Sequence, residues 1–185
     1  MNITTYFFLI IILLAACQPI NEEAQQDPTP QVFFDIKGYF NQEVQRLNTL
    51  QPQVTKTVAI NQKKETKQWT NLNYQPELEV FAQADINRLD WVDKYSVDST
   101  FQNNQLTGIE YKALEDKLRT RHIRIQFKNG EVSKINIENG GKNMAAGSQQ
   151  ELGYEPSNGY YIKSVQHTTL FKDKIFKINV IFKKE

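Results

Sequence analysis

Few side chains in this sequence could carry chemistry. Histidine occurs twice, at His122 and His167, and both fall in stretches that alternate as strands do. By parity His122 shares a face with Arg124 and Gln126, opposite Ile123 and Ile125. A general base or metal ligand needs acidic or thiol partners at suitable spacing. None lies near His122 in sequence, so it is expected as an exposed strand residue. The densest acidic set is Asp85, Asp90, Asp93 and Asp98. Calcium loops place oxygen ligands at close, alternating positions around a glycine turn. These aspartates are spaced more widely and enclose no glycine, so helix ends and Asx turns account for them better. Lys117, Arg119, Arg121 and Arg124 form a basic cluster that could hold a phosphate headgroup or an acidic partner. The expected role is a solvated sheet face paired with Glu131 or Glu138. Gly140, Gly141 and Gly147 fit neither a Gly-Lys-Ser/Thr loop nor a G-x-G-x-x-G frame. No G-x-S-x-G, H-E-x-x-H or Cys–His pair occurs. No catalytic residue, metal ligand or cofactor is therefore assigned, and a non-enzymatic role is favoured over an enzyme with an unrecognised site.

The single cysteine, Cys17, has a more specific context. It follows YFFLIIILLAA (Tyr6–Ala16), an uncharged run too short for a mature transmembrane helix, which needs about 20 apolar residues. The run suits the apolar core of a secretory signal. Leu14-Ala15-Ala16-Cys17 resembles the lipobox of bacterial lipoproteins, Leu-(Ala/Ser)-(Gly/Ala)-Cys, at all four positions. The resemblance implies that the Cys17 thiol takes a diacylglycerol. Cleavage then falls between Ala16 and Cys17, and the new amino group is acylated, commonly with palmitate. Small side chains at Ala15 and Ala16 let a peptidase approach the backbone. More than one acyl chain gives stable anchoring, where a single chain holds only marginally. The leader MNITTY departs from the pattern because it carries no Lys or Arg. With Cys17 lipidated no disulfide is possible, so the fold must be held by its core.

These features divide the chain into a signal peptide over residues 1–16, a tether over 17–31 and a single domain over 32–185. The segment QPINEEAQQDPTPQ (Gln18–Gln31) is polar, contains three prolines and has no hydrophobic period, as a flexible linker does. Gln18, rather than Asp, follows the cysteine. By analogy with enterobacterial sorting this favours the outer membrane, with the periplasmic or surface face left open. Lys and Arg number 22 against 21 Asp and Glu, a net charge of +1. That balance gives no electrostatic case for nucleic acid. The 11 Phe and 8 Tyr suit a β-rich core.

The domain reads as α+β. Phe33, Ile36, Phe40, Val44 and Leu47 recur at three- and four-residue steps and predict a helix over Val32–Leu50, ended by Pro52. Val54–Ile60 and Lys63–Trp69 predict a hairpin across Asn61-Gln62. A second helix is expected over Gln75–Asp85, capped by Asn73, with Leu78, Phe81 and Ala82 facing the core. Residues 86–100 read as an ordered loop pinned by Trp91 and Tyr95. Leu106–Leu114, the stretch around Ile123–Phe127, and Gly159–Phe171 with Lys174–Phe182 alternate as strands. Asn129-Gly130 marks a hairpin whose three-residue loop would pair Ile123 with Ile135. Glu138–Gln150 reads as a long glycine-containing connection, mobile by default or a lid over a concave sheet. The expectation is two helices on a curled antiparallel sheet of about six strands.

That layout resembles the half-barrels of lipoprotein carrier proteins at the level of fold. FFDIKGYFNQEVQRL, TKTV, ELEVFAQADIN-x-x-x-W and KLRTRHIRIQFKNGEVSKINIEN also resemble segments of small uncharacterised Bacteroidota lipoproteins. The resemblance implies an envelope address but no activity. Three roles follow for testing: binding of an envelope protein or apolar lipid ligand, a structural or assembly subunit, and hydrolysis of an envelope polymer.

Overall fold

The computed structural model describes residues 32–142, 146–168 and 171–183. Leu14–Cys17 and the tether lie outside them. Two α-helices, α1 (Ile36–Leu50) and α2 (Tyr74–Ala82), accompany nine strands. The strands are β1 (Val54–Ile60), β2 (Lys63–Trp69), β3 (Tyr95–Gln102), β4 (Gln105–Ala113), β5 (Thr120–Lys128), β6 (Glu131–Lys142), β7 (Ala146–Glu155), β8 (Gly159–Thr168) and β9 (Phe171–Phe182). They form one antiparallel sheet in the order β2-β1-β9-β8-β7-β6-β5-β4-β3, open at both ends. The run from β3 to β9 is a meander, and the β1–β2 hairpin is added at its far side by pairing β1 with β9.

Both helices begin at a capped end. Asp35 accepts from the Gly38 N–H ahead of α1, and Asn73 accepts from the Gln75 N–H ahead of α2. Helix α1 ends where Gln51, just before Pro52, turns left-handed at φ 44°. The predicted stripe Phe33, Ile36, Phe40, Val44 and Leu47 is buried throughout. It meets Leu78 and Phe81 of α2, with the Phe40 and Phe81 rings stacked at 4.8 Å. Beneath both helices one sheet face supplies Val180, Tyr160, Tyr154, Ile135 and Ile125 in one cross-strand row. Leu152, Ile137, Ile123 and Tyr111 make the next. The alternation explains why only one face is apolar.

The β1–β2 hairpin forms with the expected bounds, and Asn61 supplies the positive φ (52°) that no glycine provides. Four expectations need correction. The sheet has nine strands rather than about six. Residues 95–100, expected inside a loop, belong to β3. Its hairpin to β4 turns on Asn103 and Asn104 at φ 50° and 60°, a turn that two asparagines can make without glycine. Glu138–Gln150 is mostly strand, extending β6 and β7, with residues 143–145 outside the described set. Finally, the β5–β6 loop has two residues, since Lys128 pairs with Glu131. A bulge between Gln126 and Phe127 then adds one residue on β6. Ile123 therefore meets Ile137, and Ile125 meets Ile135. The apolar residues still share one face, because the bulge shifts the register by one residue, opposite in direction to a longer loop but with the same effect on parity.

Candidate functional site

Polar side chains penetrate the helix–sheet interface at two places. Glu43 lies one turn beyond Phe40 on the buried side of α1 and is 8% exposed. Its carboxylate takes two bonds from Arg46, from Nε at 2.8 Å and from an Nη at 2.7 Å. It also accepts the Tyr154 hydroxyl. Arg46 further donates to the Pro156 carbonyl at 3.1 Å. On α2, Glu77 accepts from the Lys56 ammonium of β1 and from the Tyr160 hydroxyl at 2.6 Å. Tyr154 and Tyr160 stand directly opposite each other on β7 and β8. Each helix is thus fastened by a glutamate to one of two adjacent tyrosines, with a cation completing each set. Burial first, then the Glu43 charge, pushes the Tyr154 hydroxyl well above its ordinary range. Burial first, then the bond to Glu77, does the same for Tyr160. Tyr154 is fully buried and Tyr160 nearly so. Both sets therefore fasten the helices to the sheet.

One accessible concavity lies between the helices. A groove of about 580 Å³ runs between α1 and α2 toward residues 85–88 and Arg119. Its floor is the buried Phe40, Val44 and Leu78, with half-buried Ala82 at its side. Lys37, Arg88 and Arg119 line it too, all three exposed. None of these cations makes an ion pair among the described residues; Arg88 instead sits 4.6 Å over the Trp91 ring. The two carboxylates of the lining are already engaged. Asp85 accepts from the Asn87 N–H at 3.1 Å, and Glu79 from the Gln83 amide at 3.0 Å. The groove therefore offers a partly apolar wall with cations free to meet an anion.

The predicted candidates are dispersed. His122 does share the outer face with Arg124, but it is not openly exposed. Its Nε2 lies 2.6 Å from Glu110 of β4 and its Nδ1 3.5 Å from Glu138 of β6. Glu110 also takes Lys112 at 2.9 Å and Arg124 at 2.8 Å. Lys112, Arg124 and His122 together hold the Glu110 carboxyl down to about 2. The sheet thus supplies the carboxylates that local sequence lacked, but in an ion-pair ladder on an open face rather than a cleft. His167 pairs with Asp173 at 2.8 Å. The basic cluster does not assemble. Arg124 turns to Glu110 rather than Glu131 or Glu138, Arg121 to Asp116, Lys117 to Glu115 at 2.7 Å, and Arg119 to the groove.

Of the aspartates, Asp85 closes the expected Asx turn on Asn87, Asp93 pairs with Lys94, and Asp98 lies on β3. No group of three or more acidic, His or Cys side chains able to hold a metal occurs among the described residues. Cys17 and Ala16 lie outside them. Sequence reading missed Glu43, Glu77, Lys56 and the groove cations Lys37 and Arg88. One signal was available: Glu43 interrupts an apolar helical stripe, and Arg46 follows it at i+3. No known protein family matches the chain, and no curated protein or solved structure matches it.

Proposed function

We propose that this protein is a lipid-anchored envelope lipoprotein of the outer membrane that binds, without catalysis, a ligand with an apolar body and an acidic group. The groove between α1 and α2 carries the reading, because an apolar floor and three cations without ion-pair partners among the described residues line one concavity. Support for the anchor is in the sequence: the lipobox Leu14–Cys17 and the polar tether after it. Among the described residues no helix is long and apolar enough to cross a membrane. In this reading the sheet is an opened counterpart of a lipoprotein-carrier half-barrel. Its helix face is filled by packed side chains, so the ligand sits between the helices and not beneath them. The likeness to small Bacteroidota lipoproteins fits the same address.

Two experiments test the proposal. Cys17→Ser should abolish acylation and leave an unprocessed or mislocalised precursor; normal processing would overturn the anchor. The lipidated chain, purified from native envelope, should carry an acidic amphiphile detectable by mass spectrometry. Ala82→Trp, which fills the groove, and Lys37→Gln with Arg119→Gln, which remove its charge, should each lose that ligand. Equal recovery from all three proteins would remove the groove as the site. A second reading, a structural or assembly subunit, is favoured by exposed Val97 and Phe101 on the outermost strand.

A further inference from the structure

The two ends of the sheet are unlike. At one end, β2 reads KKETKQW and exposes every side chain. Three lysines on an outermost strand discourage another strand from pairing there. At the other end, β3 reads YSVDSTFQ, with no cation and no proline. Among the described residues it pairs only with β4, so its second edge has no strand beside it there. Val97 is 55% exposed and Phe101 63% exposed. The bulge between Thr100 and Phe101 leaves Thr107 of β4 as the extra residue. β3 therefore keeps its own alternation, and Val97, Ser99 and Phe101 share one face.

We propose that the β3 edge pairs with β3 of a second copy of this chain, antiparallel and centred on Ser99. The register follows from the sequence. In a two-fold antiparallel pairing that keeps equivalent faces together, a residue lies opposite itself at the axis, and neighbours pair symmetrically about it. With Ser99 on the axis, Val97 of each copy lies opposite Phe101 of the other. Both exposed apolar side chains are covered twice over by one operation. The only charge, Asp98, falls opposite Thr100, so like charges never meet. Centring on Asp98 would set the two aspartates against each other. Centring on Thr100 would set Val97 opposite Asn103 in the turn and leave it without its apolar mate. The same operation on β2 would cover Trp69 as its one large apolar side chain. The product is a continuous eighteen-stranded sheet, twice the nine strands of one copy.

Cysteine cross-linking of the full chain in detergent reads the register. Residues directly opposite across an antiparallel pair have Cα atoms about 4.5–5.5 Å apart, within disulfide reach. Ser99→Cys should give a dimer on mild oxidation, with the disulfide mapped to position 99 by mass spectrometry. The parent chain, whose one cysteine is Cys17, controls for other linkages. Asp98→Cys, on the opposite face, and Thr66→Cys, on β2, should stay unlinked at those positions. Val97→Lys with Phe101→Lys sets lysine opposite lysine and should weaken self-association at least tenfold by sedimentation. Both positions are already exposed, and circular dichroism confirms that the variant stays folded. A folded Ser99→Cys chain that does not cross-link through position 99 overturns the proposal. So does linking at Asp98→Cys or Thr66→Cys as efficient as at Ser99→Cys, or self-association unchanged by the two lysines.

Discussion

The two helices are fastened to neighbouring tyrosines by similar groups arranged differently. In the α1 set, glutamate and cation share one helix three residues apart, and Arg46 grips Glu43 with two parallel bonds. Helix formation alone brings them together. In the α2 set, Glu77 comes from the helix, Lys56 from β1 and Tyr160 from β8. That set exists only when three elements meet. The cations also differ in their alternatives. The Arg46 side chain is 38% exposed and has the Pro156 carbonyl as a further acceptor, whereas the Lys56 side chain is 17% exposed and, among the described residues, has only Glu77. A fastening preformed within one helix should therefore tolerate loss of a partner better than one assembled across the fold.

Removing each carboxylate tests this most severely. Glu77→Ala leaves a largely buried ammonium and a buried hydroxyl without partners among the described residues and should cost about 3–4 kcal/mol by urea unfolding. Glu43→Ala should cost about 2–3 kcal/mol, because Arg46 can turn to water. The reverse order would break the comparison. Removing each hydroxyl is gentler. Tyr160→Phe leaves Glu77 with one partner and should cost about 1.5–2 kcal/mol, against about 0.5–1 kcal/mol for Tyr154→Phe, where Arg46 still satisfies Glu43.

Alkaline titration sharpens the same contrast. Both tyrosines have their pKa raised on folding, so their contribution is complete below the unfolded value near 10. It is lost progressively as pH rises above that value. Stability should fall from about pH 10 upward, and each Phe variant should remove about 1.4 kcal/mol per pH unit from that slope. An unchanged slope would show that these hydroxyls are not held neutral. The smallest effect is expected at Tyr74. Burial, then Glu77, pushes its hydroxyl up to about 12. Yet that hydroxyl is buried with no hydrogen-bond partner among the described residues. Tyr74→Phe should be neutral or slightly stabilising in thermal unfolding, since it removes an unsatisfied group and little volume.

The ends of the sheet carry a parallel lesson about legibility. β1 and β2 were legible because Val54, Val58 and Ile60 share a parity and Asn61-Gln62 interrupts them. β3 was not, although Tyr95, Val97 and Phe101 also share one. Serines and aspartates diluted the signal, and two asparagines stand in its turn where a glycine would have marked it. Glu138–Gln150 failed for the opposite reason, since its glycines read as a connection while cross-strand pairing holds most of it extended.

By itself, the sequence determined the lipobox at Cys17 as an expectation, the α1 stripe from Phe33 to Leu47, the capped start of α2, the β1–β2 hairpin and the α+β class. All of these depend on residues close in the chain, where period and spacing are read directly. Only the tertiary structure decided that β1 pairs with β9 and that a bulge aligns Ile123 with Ile137. It alone joined Glu43 to Tyr154, Glu77 to Lys56 and Tyr160, and His122 to Glu110. It also gathered Lys37, Arg88 and Arg119 around one groove. Each of these joins residues far apart in sequence, and burial and cross-strand register, not local preference, choose such partners.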